Sequence, residues 1–544
     1  MLRGESDWEA ARVESIPGDY VRQRILLLVL GLALGITPAA RAQLEPVGVP
    51  PGLLRLQVGG ALENYNQRFY QDGTQDYAGD FIRDSAGSNL WPELVSADTT
   101  VAAIIGQAGY RINLGRTTAT TEVNIGTTNL GAAIGISSFL TLFGNVPIVR
   151  VRVQPRFALD STNGDVGFNP ADPAFGSGAA ATTAFFNQFD AALAALQANI
   201  NGGVYDANPA QKALAQATLA SGTDLRTHLD NLLVNPSTAS PFVPTGGSAA
   251  GLAMTNVVTS LQTTLSGSLG VGGFTQPLDL PTQRLGQQDI DNFISNPGGP
   301  VAGVPISDQL ITKLGDIQVG AVLTPIDKWD RPHHMGGARL AITGAITLPT
   351  GTTDLSNNFT DLGTGTGFYR FGVGATADLG KGRVGMRLNG YYDRWQQRFR
   401  VRRVSDPSFP MPYAYRLANL NIDPGDQVTL GVRPFFRLAS TFAIHAGLDY
   451  WHRGADRVVY QAVADSVPNV AAGELTTASS ASATIVSGGV TFSSGFTRKV
   501  PIEARWLYEA VIGASGGRVP QGRNMRGELR LYFRLWGKRP GGQD

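Results

Sequence analysis

From Met525 to Trp536 the chain alternates without a slip. Gly527, Leu529, Leu531, Phe533 and Leu535 share one parity, and Glu528, Arg530, Tyr532 and Arg534 take the other. Successive side chains of a β-strand point to opposite faces, so one face of such a segment can meet hydrocarbon while the other lines a polar interior. The pattern predicts a barrel strand in a lipid bilayer.

The same period recurs from residue 316 onward. Ile317, Val319, Ala321 and Leu323 alternate, as do Leu340, Ile342, Ile346 and Leu348, then Tyr369, Phe371, Val373, Ala375 and Ala377. Val384, Met386 and Leu388 follow the turn Gly380-Lys381-Gly382, and Val428, Leu430, Val432, Phe436 and Leu438 are joined by the turn Ala439-Ser440 to Phe442, Ile444, Ala446, Leu448 and Tyr450. Two more strands, near 481–492 and 500–512, precede the terminal one. Upstream, 53–65, roughly 117–134 and 140–157 read as three further strands. The expected fold is all-β, a transmembrane antiparallel β-barrel of about twelve strands. Ten or fourteen stay open, because 91–114 has no clear period. Connections alternate short and long, as periplasmic turns and outer loops do in outer-membrane barrels.

Between residues 158 and 315 the period changes. Phe185, Phe189, Leu193, Leu196 and Ile200 recur at helical spacing. Asn208 followed by Pro209 reads as an N-cap and first helical residue leading to Leu214, Leu225, Leu229 and Leu232, and a third candidate helix holds Val257, Val258, Leu261 and Leu265. Counting strands back from the C-terminus places this insertion outside the cell. Its apolar faces need cover, so it is either an extracellular cap packed on itself or a plug in the lumen.

Assigning the apolar parity to lipid turns many charges inward. Arg150, Arg152, Arg156, Arg339, Arg370, Arg387, Arg433, Arg437, Arg505, Arg530 and Arg534 take that parity, joined by Asp316, Asp378, Asp393, Asp449, Glu503, Glu509 and Glu528. Two readings stand. Cross-strand ion pairs would stiffen a narrow barrel largely filled by side chains, whereas an arginine ladder would tune a pore as charged rings do in channels. Outward aromatics such as Tyr392, Tyr450, Trp506 and Tyr508 suit an interfacial girdle. The candidate lumen or solute-contacting residues are Tyr391, Trp395, Arg387, Arg433, Arg437, Asp449, Trp451, Arg530, Tyr532 and Arg534, and the loop residues Phe409, Met411, Tyr413 and Tyr415 offer a capture surface or a lid.

The N-terminus gives a matching address. Arg22 and Arg24 precede an apolar or glycine run from Ile25 to Ile36, then Pro38 and the small-x-small site Ala40-Arg41-Ala42. Together these predict a secretory signal cleaved between Ala42 and Gln43. The run of twelve residues is too short for a transmembrane helix, at about 1.5 Å per residue against a core of about 30 Å. The acidic stretch before it does not suit a signal, so translation is expected to begin near Val21. The chain ends on an apolar, aromatic strand face, as bacterial outer-membrane barrels do.

Composition narrows the remaining classes. With no cysteine, neither a disulfide framework nor a thiolate metal site is available. A formal net charge of +1 leaves no basic footprint for nucleic acid, and a mean hydropathy near zero fits apolar residues spread over alternate positions. The 67 glycines follow no collagen period, and Gly372 and Gly374 inside a strand mark curvature or close side-chain packing. Histidines stand at 228, 333, 334, 445 and 452. His333-His334 falls in a turn with no ligand pair at helical spacing, so no metal site is expected. A lipid hydrolase would need serine and histidine facing lipid, and His445 has inward parity. Gly363-Thr364-Gly365-Thr366-Gly367 lacks the lysine and the strand-to-helix context of a phosphate loop and reads as a turn.

One set of motifs is familiar as a set. Leu314-Gly315-Asp316-Ile317-Gln318-Val319-Gly320, then Leu348-Pro349-Thr350-Gly351, Asp361-Leu362-Gly363-Thr364-Gly365, Gly380-Lys381-Gly382 and Asn389-Gly390-Tyr391 resemble the outer-membrane barrel family associated with meta-pathway phenol degradation. The resemblance covers 117–157 and 314–536. It implies an outer-membrane protein with aromatic or other hydrophobic cargo, and supplies no catalytic residue. The combined expectation is a signal peptide at 1–42, first strands in 43–157, a helical insertion at 158–315, the remaining strands in 316–536 and a tail at 537–544. Such a barrel would be monomeric, sit among outer-membrane lipid, be inserted by the barrel assembly machinery, and pass small solutes by passive diffusion without a cofactor. An outer-membrane lipid hydrolase and a non-conducting surface scaffold or adhesion protein are the alternatives.

Overall fold

A computed structural model describes residues 48–537 apart from 71–72, 297–300, 302–305, 330–335, 357, 359, 405–408, 412, 414–415, 469, 477–478, 495–500 and 518. The expected cleavage at Ala42 and Gln43, the His333-His334 turn and Tyr415 lie outside the described residues.

Twelve antiparallel strands close into a barrel. They are β1 Leu53–Tyr65, β2 Gly115–Gly135, β3 Leu140–Asp160, β4 Ile317–Trp329, β5 Gly336–Leu348, β6 Arg370–Lys381, β7 Val384–Trp395, β8 Gln427–Ala439, β9 Phe442–Arg453, β10 Ala481–Ser493, β11 Ile502–Gly516 and β12 Arg523–Arg534. Each strand pairs with its neighbour in this order, and β12 returns to β1 in a register running from Leu53 opposite Arg534 to Asn64 opposite Arg523. Closure removes the free edge, as a bilayer demands, because hydrocarbon offers no hydrogen-bond partner to open backbone groups. The region 91–114, ambiguous in sequence, is no strand pair: it begins with helix α1, Leu94–Ile105.

The outward parity carries exposed apolar side chains around the ring, among them Leu56, Val58, Ile342, Phe371, Leu430 and Leu529. On this face the alternation holds around the ring. It inverts along the upper halves of β2 and β3. These strands hold 21 residues each; at about 3.3 Å per residue and a tilt near 40° they rise about twice the roughly 25 Å apolar band of such barrels. In β3, Leu142, Val146 and Ile148 are exposed on the outer face, and further along that same face come Arg150, Arg152 and Arg156. The inner face there holds Val149, Val151 and Val153, buried with Val123, Ile125, Tyr65 and Tyr77. The three arginines expected in the lumen therefore lie outside. Above the bilayer, water is on the outside and packed protein on the inside, so the rule that apolar means lipid-facing changes sign.

Helices α2 Ala179–Asn201, α3 Pro209–Leu233, α4 Ala249–Thr263 and α5 Gln287–Ser295 form the insertion, at the end that carries the long connections. Asn208 caps α3 as expected, its side chain accepting from the Gln211 amide at 3.2 Å. One apolar core joins these helices to α1, to Ala119 of β2 and to Phe157 and Leu159 of β3. It also takes in Met411 and Tyr413. Those two are buried to 1% and 6% exposure, so they are core residues and not a capture surface. Loops beside the insertion fold into a small sheet of Arg398–Arg403, Leu417–Asp423 and Arg457–Tyr460.

The motifs of the phenol-degradation resemblance converge on Asp316. A short strand, Gln309–Leu314, pairs with β3 ahead of β4, and the chain breaks pairing at Gly315-Asp316. The Asp316 carboxylate, expected to face the lumen as one of its charges, instead accepts from the Gly351 amide at 3.0 Å and from the amide and hydroxyl of Thr366 at 2.8 and 2.9 Å. Thr350 donates to the Gly315 carbonyl at 2.7 Å and Thr364 to the Leu314 carbonyl at 2.8 Å. A Cβ on Gly351 would fall 2.6 Å from the Cα of Gly365, so both positions must stay bare. This clasp holds the β5–β6 loop, whose Leu362 packs onto the inward cluster of Val149, Val151 and Val153. The glycine run is a clasped loop, in line with the reading as a turn. Asp316→Ala leaves two amides without their acceptor, at about 1–3 kcal/mol each. Amide hydrogen exchange from 351 to 366 should quicken by about tenfold or more while the barrel strands keep their protection.

Candidate functional site

Register builds the lumen wall. Cross-strand partners place Arg339, Asp378, Arg387 and Arg433 in one row across β5 to β8. Asp378, 3% exposed, takes Arg339 at 2.5 Å and Arg387 at 2.6 Å, and Arg433 reaches Asp449 of β9 at 2.9 Å. On the facing wall, Glu503 accepts from Tyr532 Oη at 2.7 Å and lies 3.5 Å from Arg530, which also pairs with Glu528. Arg526 reaches Glu509 at 3.1 Å. Most inward charges are thus in cross-strand pairs, which charge-assisted geometry favours in a low-dielectric interior.

Between these walls lies a cavity of about 220 Å³, near the end with the short turns. Its floor includes the β8–β9 turn at Ser440 and Gly48, which precedes β1. The residues just ahead of β1 are tucked inside, since the Val49 amide donates to Thr141 Oγ1 at 2.8 Å and its side chain packs beside Tyr532. No described residue of the insertion lines the cavity.

The sequence candidates divide. Arg387, Arg433, Arg437, Arg530 and Tyr532 line the cavity. Asp449 stands behind it as the partner of Arg433. Tyr391 faces inward but is spent on structure: its hydroxyl lies 3.0 Å from Thr376 Oγ1 and its ring covers Gly374, where a Cβ would overlap it. That is the close packing expected of Gly374. Trp395 belongs to the apolar core of the loop sheet, with Phe368, Leu420 and Ile422, and Trp451 packs with Ala481, Ala483 and Val519. Arg534 is exposed at the strand end and donates to the Gly537 carbonyl at 3.2 Å.

Two aromatic lining residues, Trp329 and Phe435, were missed. A bulge between Leu323 and Ile326 shifts parity in β4 and turns Trp329 inward. Phe435 shares its parity with Arg433 and Arg437, a signal hidden by the adjacent Phe436 on the outer face. Its ring lies over Gly385, where a Cβ would overlap it. Trp329 and Phe435 meet edge to face at 6.3 Å, and the Arg437 guanidinium sits 5.2 Å from each ring, within cation–π range.

The two histidines on the barrel strands take opposite faces. His445 points into the lumen beside Gly489. His452 is exposed on the outer face opposite Ser482, but the Ser482 hydroxyl is paired with Ser515 at 2.7 Å. Among the described residues no three histidines or carboxylates group as metal ligands.

A closed, twelve-stranded barrel with an apolar exterior and a charged interior defines a bacterial outer-membrane protein. Residues 234–398 match the family model of the MetA pathway of phenol degradation, which spans the Asp316 clasp. No curated protein matches the chain. Among solved structures, similarity extends to an outer membrane channel from Pseudomonas putida F1, at 9% identity and a TM-score of 0.40 over 90% of this chain and all of that one. The monoaromatic hydrocarbon channel CymD aligns at 8% identity and a TM-score of 0.26 over 93% of each chain. A Pseudomonas aeruginosa FadL homologue aligns at 9% identity and a TM-score of 0.27, over 94% of this chain and all of that one.

Removing one member of a buried ionic group strands its partners. Asp378→Leu should destabilise the barrel by about 3–5 kcal/mol in urea unfolding from lipid vesicles. The triple change Arg339→Met, Asp378→Leu and Arg387→Met should recover most of that loss.

Proposed function

We propose that this barrel is an outer-membrane channel through which small hydrophobic or aromatic solutes pass by passive diffusion, without a cofactor. The observation that carries the reading is the lumen cavity, which sets an aromatic pair, Trp329 and Phe435, among the charged rows. The match to a phenol-degradation family favours aromatic cargo. In this reading the helical insertion is an extracellular cap and not a plug, because its core is built on the upper inner faces of β2 and β3 while the cavity lies at the other end. Capture at the cap margin, contact with Tyr532 and the aromatic pair, and release past Gly48 would make the path. The barrel assembly machinery would insert the strands into outer-membrane lipid. A second reading, a sealed surface scaffold, draws on the core that joins cap, α1 and Tyr413 across the long-loop end.

Flux into liposomes carrying the folded barrel should be faster for phenol than for sugars of similar size, relative to protein-free liposomes. Deleting 176–300 should leave conductance and the phenol preference unchanged, and a several-fold rise would restore the plug. No flux of either solute, with or without the cap, would overturn the channel in favour of the scaffold.

A further inference from the structure

On the outer face of β3, charge replaces hydrocarbon at a definite height. The rise from Leu140, where β3 begins, to Arg150 is about 25 Å, at about 3.3 Å per residue and a tilt near 40°, which is the full height of the apolar band. Below that level Leu142, Val146 and Ile148 face lipid, and from it upward Arg150 and Arg152 are exposed on the same face. Their guanidiniums stand where the headgroups of the outer leaflet begin.

Register widens this spot into a patch of four strands. Arg152 lies opposite Asn124 of β2, Asn124 opposite Asn64 of β1, and Asn64 opposite Arg523 of β12. The row beneath runs from Arg150 through Gly126 and Leu62 to Met525, and on to Tyr508 of β11. Leu62 and Met525 are 61% and 46% exposed, so an apolar shelf underlies the polar row. Exposed Tyr508 beside it is the kind of ring that marks a membrane interface. Three strand spacings separate Arg152 from Arg523, about 14 Å.

The centre of the patch holds one carboxylate. Asn64 Nδ2 donates to Asn124 Oδ1 at 2.6 Å and to Glu122 Oε1 at 3.2 Å, and Asn124 Nδ2 donates to the same Glu122 oxygen at 3.0 Å. Among the described residues Arg150 and Arg523 enter no ion pair. Arg152 adds to the field at Asp308, which is already paired with Arg156 at 2.6 Å. Across the ring on β7, exposed Arg394 is instead held by Asp423 and Asp426 at 3.3 and 2.8 Å. A guanidinium left open at headgroup height suits a phosphate, which it takes through paired N–H donors in a fixed fork.

From this juxtaposition we infer that the outer face of β12, β1, β2 and β3 binds a phosphorylated glycolipid of the outer leaflet, lipopolysaccharide. Phosphates meet Arg150, Arg152 and Arg523, sugar hydroxyls meet the Asn64 and Asn124 amides, and acyl chains run down over Leu62, Met525 and Ile148. The site rests on the outer-membrane location alone and is independent of any solute path. It braces, from outside, the strands that rise to carry the helical insertion.

Native mass spectrometry of the detergent-folded, full-length barrel, titrated with bis-phosphorylated lipid A, its dephosphorylated form and inorganic phosphate, tests this. One lipid A should bind per barrel, at least tenfold more tightly than the dephosphorylated form, and its affinity should fall as salt rises. Arg150→Gln should weaken lipid A about tenfold, and Arg523→Gln, on a separate strand, serves the same purpose if the first variant does not fold. Arg394→Gln should leave the affinity unchanged. Equal binding of the two lipids, an equal loss with Arg394→Gln, or no loss when Arg150→Gln and Arg523→Gln are combined would overturn the site. Displacement of lipid A by inorganic phosphate at equal concentration would also overturn it, leaving a site for free anions.

Discussion

Closure of the sheet between β1 and β12 is the constraint on which the rest depends. In hydrocarbon an open edge would leave a row of amides and carbonyls unpaired at several kcal/mol each. Once closed, the ring forces alternate residues to one of two surroundings. The outward row is then apolar by necessity, and the inward row is free to carry charge. The ionic rows of the lumen follow from that freedom, and so does their mutual pairing, since a guanidinium enclosed by twelve strands has little water to turn to.

Height above the bilayer adds a second division. Along β3 the outer face passes from Leu142, Val146 and Ile148 to Arg150 and Arg152 without any break in the strand. The hydrogen-bond ladder continues while the solvent around it changes. The projecting part of β2 and β3 becomes a platform whose inner face is apolar, and there the helices find the cover that their own apolar faces need.

Much of this was legible in the chain. Period 2 located all twelve strands, and a β-strand is well specified by alternation when its two faces meet different media. Alternation does not name the media, which is why Arg150, Arg152 and Arg156 were placed inside. Trp329 went unread because the alternation ends at Leu323, where the bulge before Ile326 breaks the period, and the residues from Lys328 on read as a turn. Inward parity found Tyr391, Trp395 and Trp451 but could not say whether an inward ring meets solute or packing; each turned out to have its own protein neighbours. Cap and plug could not be told apart in the chain, since helical amphipathicity does not identify the partner surface.

The Asp316 clasp changes what the resemblance can be taken to mean. Its residues, Gly315-Asp316, Thr350-Gly351 and Thr364 to Thr366, are joined by hydrogen bonds to one another and lie apart from the cavity lining. These motifs together make a joint between a strand and a loop. A change on the cavity wall at Trp329 or Phe435 would therefore leave the hydrogen bonds of the joint untouched.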